Sequence, residues 1–150
     1  MPSSSSRNIE HITDIHAPIE KVWEALIDIG NWKWNRWTRL HADRAEEGVK
    51  GKLLASFEGN DEWESFSFTF GTVEENSMTW TGSVGPSGCL FNGHHTMKLE
   101  EIEGDTRLIH TEKFSGILPR LGLGLPYDKL DRNYLLMNEA LKKFVENGVM

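Results

Sequence analysis

Phe91-Asn-Gly-His-His-Thr-Met-Lys-Leu-Glu-Glu-Ile-Glu-Gly-Asp-Thr-Arg-Leu-Ile-His-Thr-Glu-Lys-Phe-Ser115 decides the fold, because one face can be followed through both of its strands. On the way out, Phe91, Gly93, His95, Met97 and Leu99 alternate with Asn92, His94, Thr96, Lys98 and Glu100; on the return, Leu108, His110, Glu112 and Phe114 alternate with Arg107, Ile109, Thr111, Lys113 and Ser115. A two-residue turn at Glu103-Gly104 sets Ile102 opposite Asp105. Counting back then places Leu99 opposite Leu108, Met97 opposite His110 and His95 opposite Glu112. The apolar-rich faces coincide in this register, and a four-residue loop preserves it.

That face is apolar except for two histidines and a glutamate. Polar groups at buried positions are costly unless paired. Two readings follow: a satisfied pair of His95 and Glu112 inside a solid core, or a set of polar groups lining a cavity that holds water or a ligand.

Outward from the hairpin, period-two alternation broken by Gly, Asn, Asp and Glu clusters predicts strands over 38–44, 52–58, 63–73, 78–84, 91–101 and 106–116. A first strand over 9–16 precedes them, although Ile9, Ile12 and Ile15 recur at three rather than two. Together these predict a seven-stranded antiparallel meander. Phe66, Phe68 and Phe70 share one face of a strand, Met78 and Trp80 continue it on the next, and Gly82 leaves space beside them.

Between the first two strands, Pro18 suits a first helical turn, and Ile19, Val22, Trp23, Leu26 and Ile27 follow at helical spacing to a close near Gly30. The next stretch, 31–37, holds three of the six tryptophans in a second short helix or a tight turn. Trp32, Trp34 and Trp37 cement that segment to the sheet or stack on a ligand. Near the other end, Leu130, Tyr134, Met137, Leu141 and Phe144 form one helical stripe, with Asn147-Gly148 as its stop. The leucine-rich stretch 117–126, broken by two glycines and two prolines, is an apolar loop, either an entrance flap or a packed connector. The predicted fold is α+β: a sheet with one apolar face, covered by the only long amphipathic helix.

The 150 residues suit one domain over 8–150, behind a flexible serine-rich tail over 1–7. The single cysteine, Cys89, reads as an ordinary thiol, since it has no partner for an intramolecular bridge. A net charge of −7 argues against nucleic acid as a partner, because that affinity comes from Lys and Arg on phosphates. No apolar run approaches the roughly 20 residues of a membrane span, and no secretory signal is visible, so integral membrane association is not expected and the expected location is cytoplasmic. No metal ligand set has the right spacing: His94 and His95 point to opposite faces of one strand. Gly122-Leu-Gly124 lacks the context of a dinucleotide loop, and no cofactor is expected.

Several short motifs, in order along the chain, resemble the SRPBCC superfamily, the START-like or Bet v 1-like helix-grip proteins, and most of all their polyketide cyclase/dehydrase-like branch. They are Ile15-His-Ala-Pro-Ile-Glu-Lys-Val-Trp-Glu-Ala-Leu-Ile-Asp28, Trp34-Asn35, Thr79-Trp-Thr-Gly82, His94-His95, Gly104-Asp-Thr-Arg107, His110-Thr-Glu-Lys-Phe-Ser-Gly116 and Met137-Asn-Glu-Ala-Leu-Lys142. Arg36 stands where the family often has proline. The resemblance implies a sheet curved around the C-terminal helix, two short helices after the first strand, and a cavity for a small hydrophobic or amphipathic molecule such as a lipid, sterol, isoprenoid or polyketide.

In that reading Phe66, Phe68, Phe70, Trp80, Met97, Phe114, Leu130, Tyr134 and Met137 supply the apolar walls, and His95, His110 and Glu112 orient a polar end. The same trio suggests an alternative, a cyclase or dehydratase in which a histidine beside a carboxylate moves protons. A protein-interaction module of co-chaperone type is the third possibility, with the leucine-rich loop as its sequence hint.

Overall fold

Every period-two stretch forms a strand in the computed structural model, which describes residues 7–84, 90–120 and 126–148. In chain order the elements are β1 (Arg7–Ile15), α1 (Ile19–Ile27), a 3-10 helix (Ile29–Trp34), β2 (Thr38–His41), β3 (Lys50–Ala55), β4 (Glu64–Glu74), β5 (Ser77–Val84), β6 (Phe91–Ile102), β7 (Asp105–Ser115), α2 (Ile117–Arg120) and α3 (Tyr127–Asn147). The serine-rich start, Cys89 and the leucines at 121, 123 and 125 lie outside the described residues.

The strands form one antiparallel sheet in the order β1-β7-β6-β5-β4-β3-β2. Strands β2 to β7 are the expected meander, but β1 is not its first member. It pairs with β7, from Arg7 opposite Phe114 to Ile15 opposite Thr106, so β1 and β2 occupy opposite edges. The chain crosses from one edge to the other through α1 and the 3-10 helix. Edge-to-edge travel of this kind curls the sheet into a half-barrel with α3 inside the curl.

Local chemistry explains where elements stop. Helix α1 begins after Pro18, which stands in extended conformation just outside it, and it ends at Ile27, short of Gly30, because Asp28 leaves the helical region (φ −83°, ψ 65°). The 3-10 helix that follows is pinned by the Trp32 indole, whose Nε1 donates to the Leu26 carbonyl at 3.0 Å. Trp32 and Trp34 are buried and Trp37 half-buried, so this segment is cemented to the sheet. At the departure from the family pattern, Asn35 makes the turn itself, its Oδ1 accepting from the backbone of Trp37 and Thr38 at 2.9 and 3.0 Å.

Strands β2 and β3 are shorter at their far ends than alternation suggests. After His41 and after Ala55 the backbone turns, Ser56 donating to the Trp37 carbonyl at 2.9 Å and Gly59 to that of Ser56 at 3.3 Å. In β4 the register shifts between Phe70 and Val73, which returns Val73 to a position opposite Met78. The β6–β7 turn is a two-residue one with both residues at positive φ, Glu103 at 51° and Gly104 at 89°.

Helix α3 covers the concave face. Leu130, Tyr134, Met137, Leu141 and Val145 are buried against the sheet, while Phe144 is half-buried beside them. Gly148 ends the helix at φ 70°, its N–H reaching the Phe144 carbonyl at 2.8 Å. The helix is tied to β1 by polar contacts: His11 Nε2 to Asp131 Oδ1 at 2.5 Å, and Lys142 Nζ to the Asp14 carbonyl at 2.9 Å. Among the described residues no helix is long and apolar enough to cross a membrane.

Candidate functional site

The pairing of β6 with β7 places His95 opposite Glu112 and Met97 opposite His110. Alternation turns all four inward, and His95, His110 and Glu112 are buried, at 1%, 0% and 7% exposure. From the next strand Trp80, the cross-strand partner of His95, lies parallel to its imidazole with ring centres 4.2 Å apart. From the helix Tyr134 packs on both histidines, its ring centre 4.9 Å from each. Three strands and one helix therefore converge on one polar cluster.

The cluster is a chain of contacts. Nδ1 of His110 lies 2.7 Å from Oδ1 of Asn138, and its Nε2 is hydrogen-bonded to Nε2 of His95. Nδ1 of His95 faces Oε1 of Glu112 at 3.6 Å. The Tyr134 hydroxyl donates to that same Oε1. Burial holds the His110 imidazole well below its ordinary range, and His95 beside it acts in the same direction against the pull of Asn138. Burial and the neighbouring Glu112 push the Tyr134 phenol well above its ordinary range, so it remains a donor.

Next to this cluster lies a recess with a cavity volume of about 40 Å³. That is room for roughly three water molecules. Its floor is Glu112 and Tyr134, and its other walls are apolar or small: Leu53 and Ala55 of β3, Phe66 of β4, Gly82 and Ser83 of β5, Phe91 and Gly93 of β6, Leu130 of α3, and Phe57 after β3. Phe57 also borders an outer cleft of about 380 Å³ that includes Trp63, Pro126 and Lys129. Gly93 is what admits the carboxylate: a Cβ there would lie 2.3 Å from Oε2 of Glu112. At Gly82 a Cβ would meet nothing closer than 3.9 Å.

Of the residues expected as walls, Phe66, Leu130 and Tyr134 line this recess, whereas Phe68, Phe70, Trp80, Met97, Phe114 and Met137 are packed in the core behind it. Helix α3 fills most of the hollow it covers, because Met137 and Leu141 are fully buried and belong to one core with Met97 and Leu108, also fully buried. Of the polar trio only Glu112 borders the recess; His95 stands behind Glu112, and His110 behind His95. Leu53, Ala55, Phe57 and Gly93 were not expected there. Leu53 could have been found from its register, since it pairs with Phe66. Asn138 was also missed, as was Asn133, whose Nδ2 donates to the Phe57 carbonyl at 3.0 Å.

No protein-family model and no curated protein sequence matches this chain. Solved structures do. The crystal structure of Ara h 8.0201 superposes with a TM-score of 0.67 at 14% identity, over 94% of this chain and 98% of the other. The chain has the helix-grip fold of this structure. Two further helix-grip proteins make the same point. The Zhui aromatase/cyclase from a Streptomyces species matches at TM-score 0.71 and 16% identity, over 97% and 96% of the two chains. The Aha1 dimer from Colwellia psychrerythraea matches at 0.69 and 21% identity, over 96% and 99%. Identities this low carry the fold and leave the function to the site.

Proposed function

We propose that this helix-grip domain binds a small hydrophobic or amphipathic molecule, with its apolar part among Phe57, Phe66, Phe91 and Leu130 and its polar end at Glu112 and Tyr134. One observation carries the reading: a buried carboxylate and a phenol O–H form the floor of a recess otherwise lined by apolar and small residues. Ligand sites are of this composition, apolar walls with a few polar groups that fix orientation. The present cavity admits only a narrow end of a ligand, and the rest of a lipid, isoprenoid or polyketide would lie past Phe57 toward the outer cleft. The likeness to an aromatase/cyclase supports small-molecule binding at the level of the fold.

The test is a thermal-shift and native mass-spectrometry screen of the full chain against lipid and polyketide extracts, with Gly82→Leu as the filled-recess control. A ligand retained by the natural chain and lost in Gly82→Leu is expected. A natural chain that retains nothing, or a control that binds equally well, overturns the reading.

Acid–base turnover of the bound molecule is a second reading, favoured by the placement of Glu112 at the recess with His95 behind it. A carboxylate so placed can take a proton from carbon next to a carbonyl and return it to a leaving hydroxyl, the sequence that cyclisation with dehydration requires. Glu112→Gln would then retain the ligand and lose turnover. A ligand recovered chemically unchanged from the natural chain leaves binding alone.

A further inference from the structure

The hydrogen-bond chain behind Glu112 can be solved for its protons from one end. Nδ2 of Asn138 lies 3.3 Å from the His11 carbonyl oxygen and 3.2 Å from the Thr13 hydroxyl, both on β1. A carbonyl oxygen only accepts, so the amide nitrogen must face β1 and the amide oxygen must face His110. That oxygen also only accepts, so Nδ1 of His110, at 2.7 Å, carries the hydrogen. His110 is fully buried with no carboxylate among its hydrogen-bond partners, which are Asn138 and His95, so it is neutral and its Nε2 presents a lone pair. Nε2 of His95, bonded to it, is therefore the donor.

Every proton in the chain is now placed except at one junction. Nδ1 of His95 and Oε1 of Glu112 face each other at 3.6 Å, and they attract only when one proton lies on one of them. Either arrangement, imidazolium with carboxylate or imidazole with carboxylic acid, leaves the buried pair with no net charge. Tyr134 donates to Oε1 in both.

We infer that Asn138 is a positioning residue that fixes His110 as the Nδ1–H tautomer and His95 as an Nε2–H donor, which leaves Nδ1 of His95, facing Glu112, as the one ring nitrogen of the pair free to exchange a proton with that carboxyl group. The use of that proton on a ligand rests on the proposed function; the tautomers do not. As a carboxylate, Glu112 accepts one proton from a bound molecule. As an acid, it gives one up and leaves a carboxylate that keeps the Tyr134 bond. His110 takes no part in either transfer, because both its nitrogens are committed. This divides the trio: Glu112 meets the ligand, His95 shares its proton, and His110 with Asn138 holds the tautomers.

The experiment is long-range proton–nitrogen correlation NMR of the ring nitrogens in ligand-free, histidine-labelled protein at neutral pH. The inference expects His110 with a protonated Nδ1 and a bare Nε2, and His95 protonated at Nε2. Asn138→Leu, which removes the acceptor, is expected to lose the His110 Nδ1–H pattern. A His110 that carries its hydrogen on Nε2 or on both nitrogens in the natural protein overturns the inference whether or not the variant folds. So does a folded Asn138→Leu with an unchanged pattern. No ligand is present in this measurement, so its failure is separate from a failed ligand screen.

Discussion

At the scale of single residues, Gly82 and Gly93 face each other across β5 and β6 yet answer substitution oppositely. A methyl at Gly93 would sit 2.3 Å from the Glu112 carboxylate, which would have to swing away from Tyr134. Breaking a buried hydrogen bond to a charged or acidic group costs about 1–3 kcal/mol, and that loss in urea stability is expected for Gly93→Ala. Gly82→Ala points into the recess and is expected to stay within about 1 kcal/mol of the natural chain, since removing a strand glycine offsets the added contact. Equal destabilisation by both would mean that Gly93 does not make room for Glu112. The opposition of His95 and Glu112 is legible in the sequence because a two-residue turn fixes the count through both strands. Asn138 is not. The stripe of α3 is read in apolar letters, and asparagines at 133 and 138 look like solvent-facing breaks until β1 and Phe57 supply their partners.

At the scale of elements, β1 shows why local pattern left part of the topology open. Its isoleucines recur at three because two inward positions, His11 and Thr13, are polar, while Ile12 faces out at 54% exposure. Those inward polar groups meet Asp131 and Asn138 of α3, contacts that no periodicity encodes. Alternation also says which face a residue takes, never which strand lies alongside, so the pairing of β1 with β7 depends on the path of the crossover. The link between α3 and the turn after β3 is similar in kind. Asn133 is buried and donates to the Phe57 carbonyl beside the recess. Asn133→Leu leaves that carbonyl without its donor, an expected cost of about 1–3 kcal/mol. Faster amide exchange at Gly59, whose N–H bonds to Ser56 in the same turn, should accompany it. Unchanged exchange at Gly59 would show that the turn holds itself without the helix.

At the scale of the whole molecule, the buried cluster makes folding stability respond to pH in a window that the surface carboxylates leave free. His110 is faced by His95 from β6, by His11 from β1, and by Tyr134 and Asn138 from α3. Its folded-state pKa is held well below the ordinary imidazole value of 6.5, first by burial and then by His95. Below pH 6.5 the unfolded chain therefore binds a proton at this imidazole that the folded chain refuses. Stability from this group is complete above that pH and falls as the medium is acidified, by up to about 1.4 kcal/mol per pH unit until the folded imidazole itself titrates. Carboxylates act in a different window. Asp14, lowered chiefly by its hydrogen bond from Arg107, and Glu146, lowered chiefly by its hydrogen bond from Lys142, contribute above their unfolded values of 3.8 and 4.5 and lose that contribution only as pH falls further. Urea midpoints measured from pH 8 down to pH 5 are thus expected to be level at first and then to decline below about pH 6.5. A curve flat to pH 5 would show that the His110 imidazole charges in place despite its fully buried position.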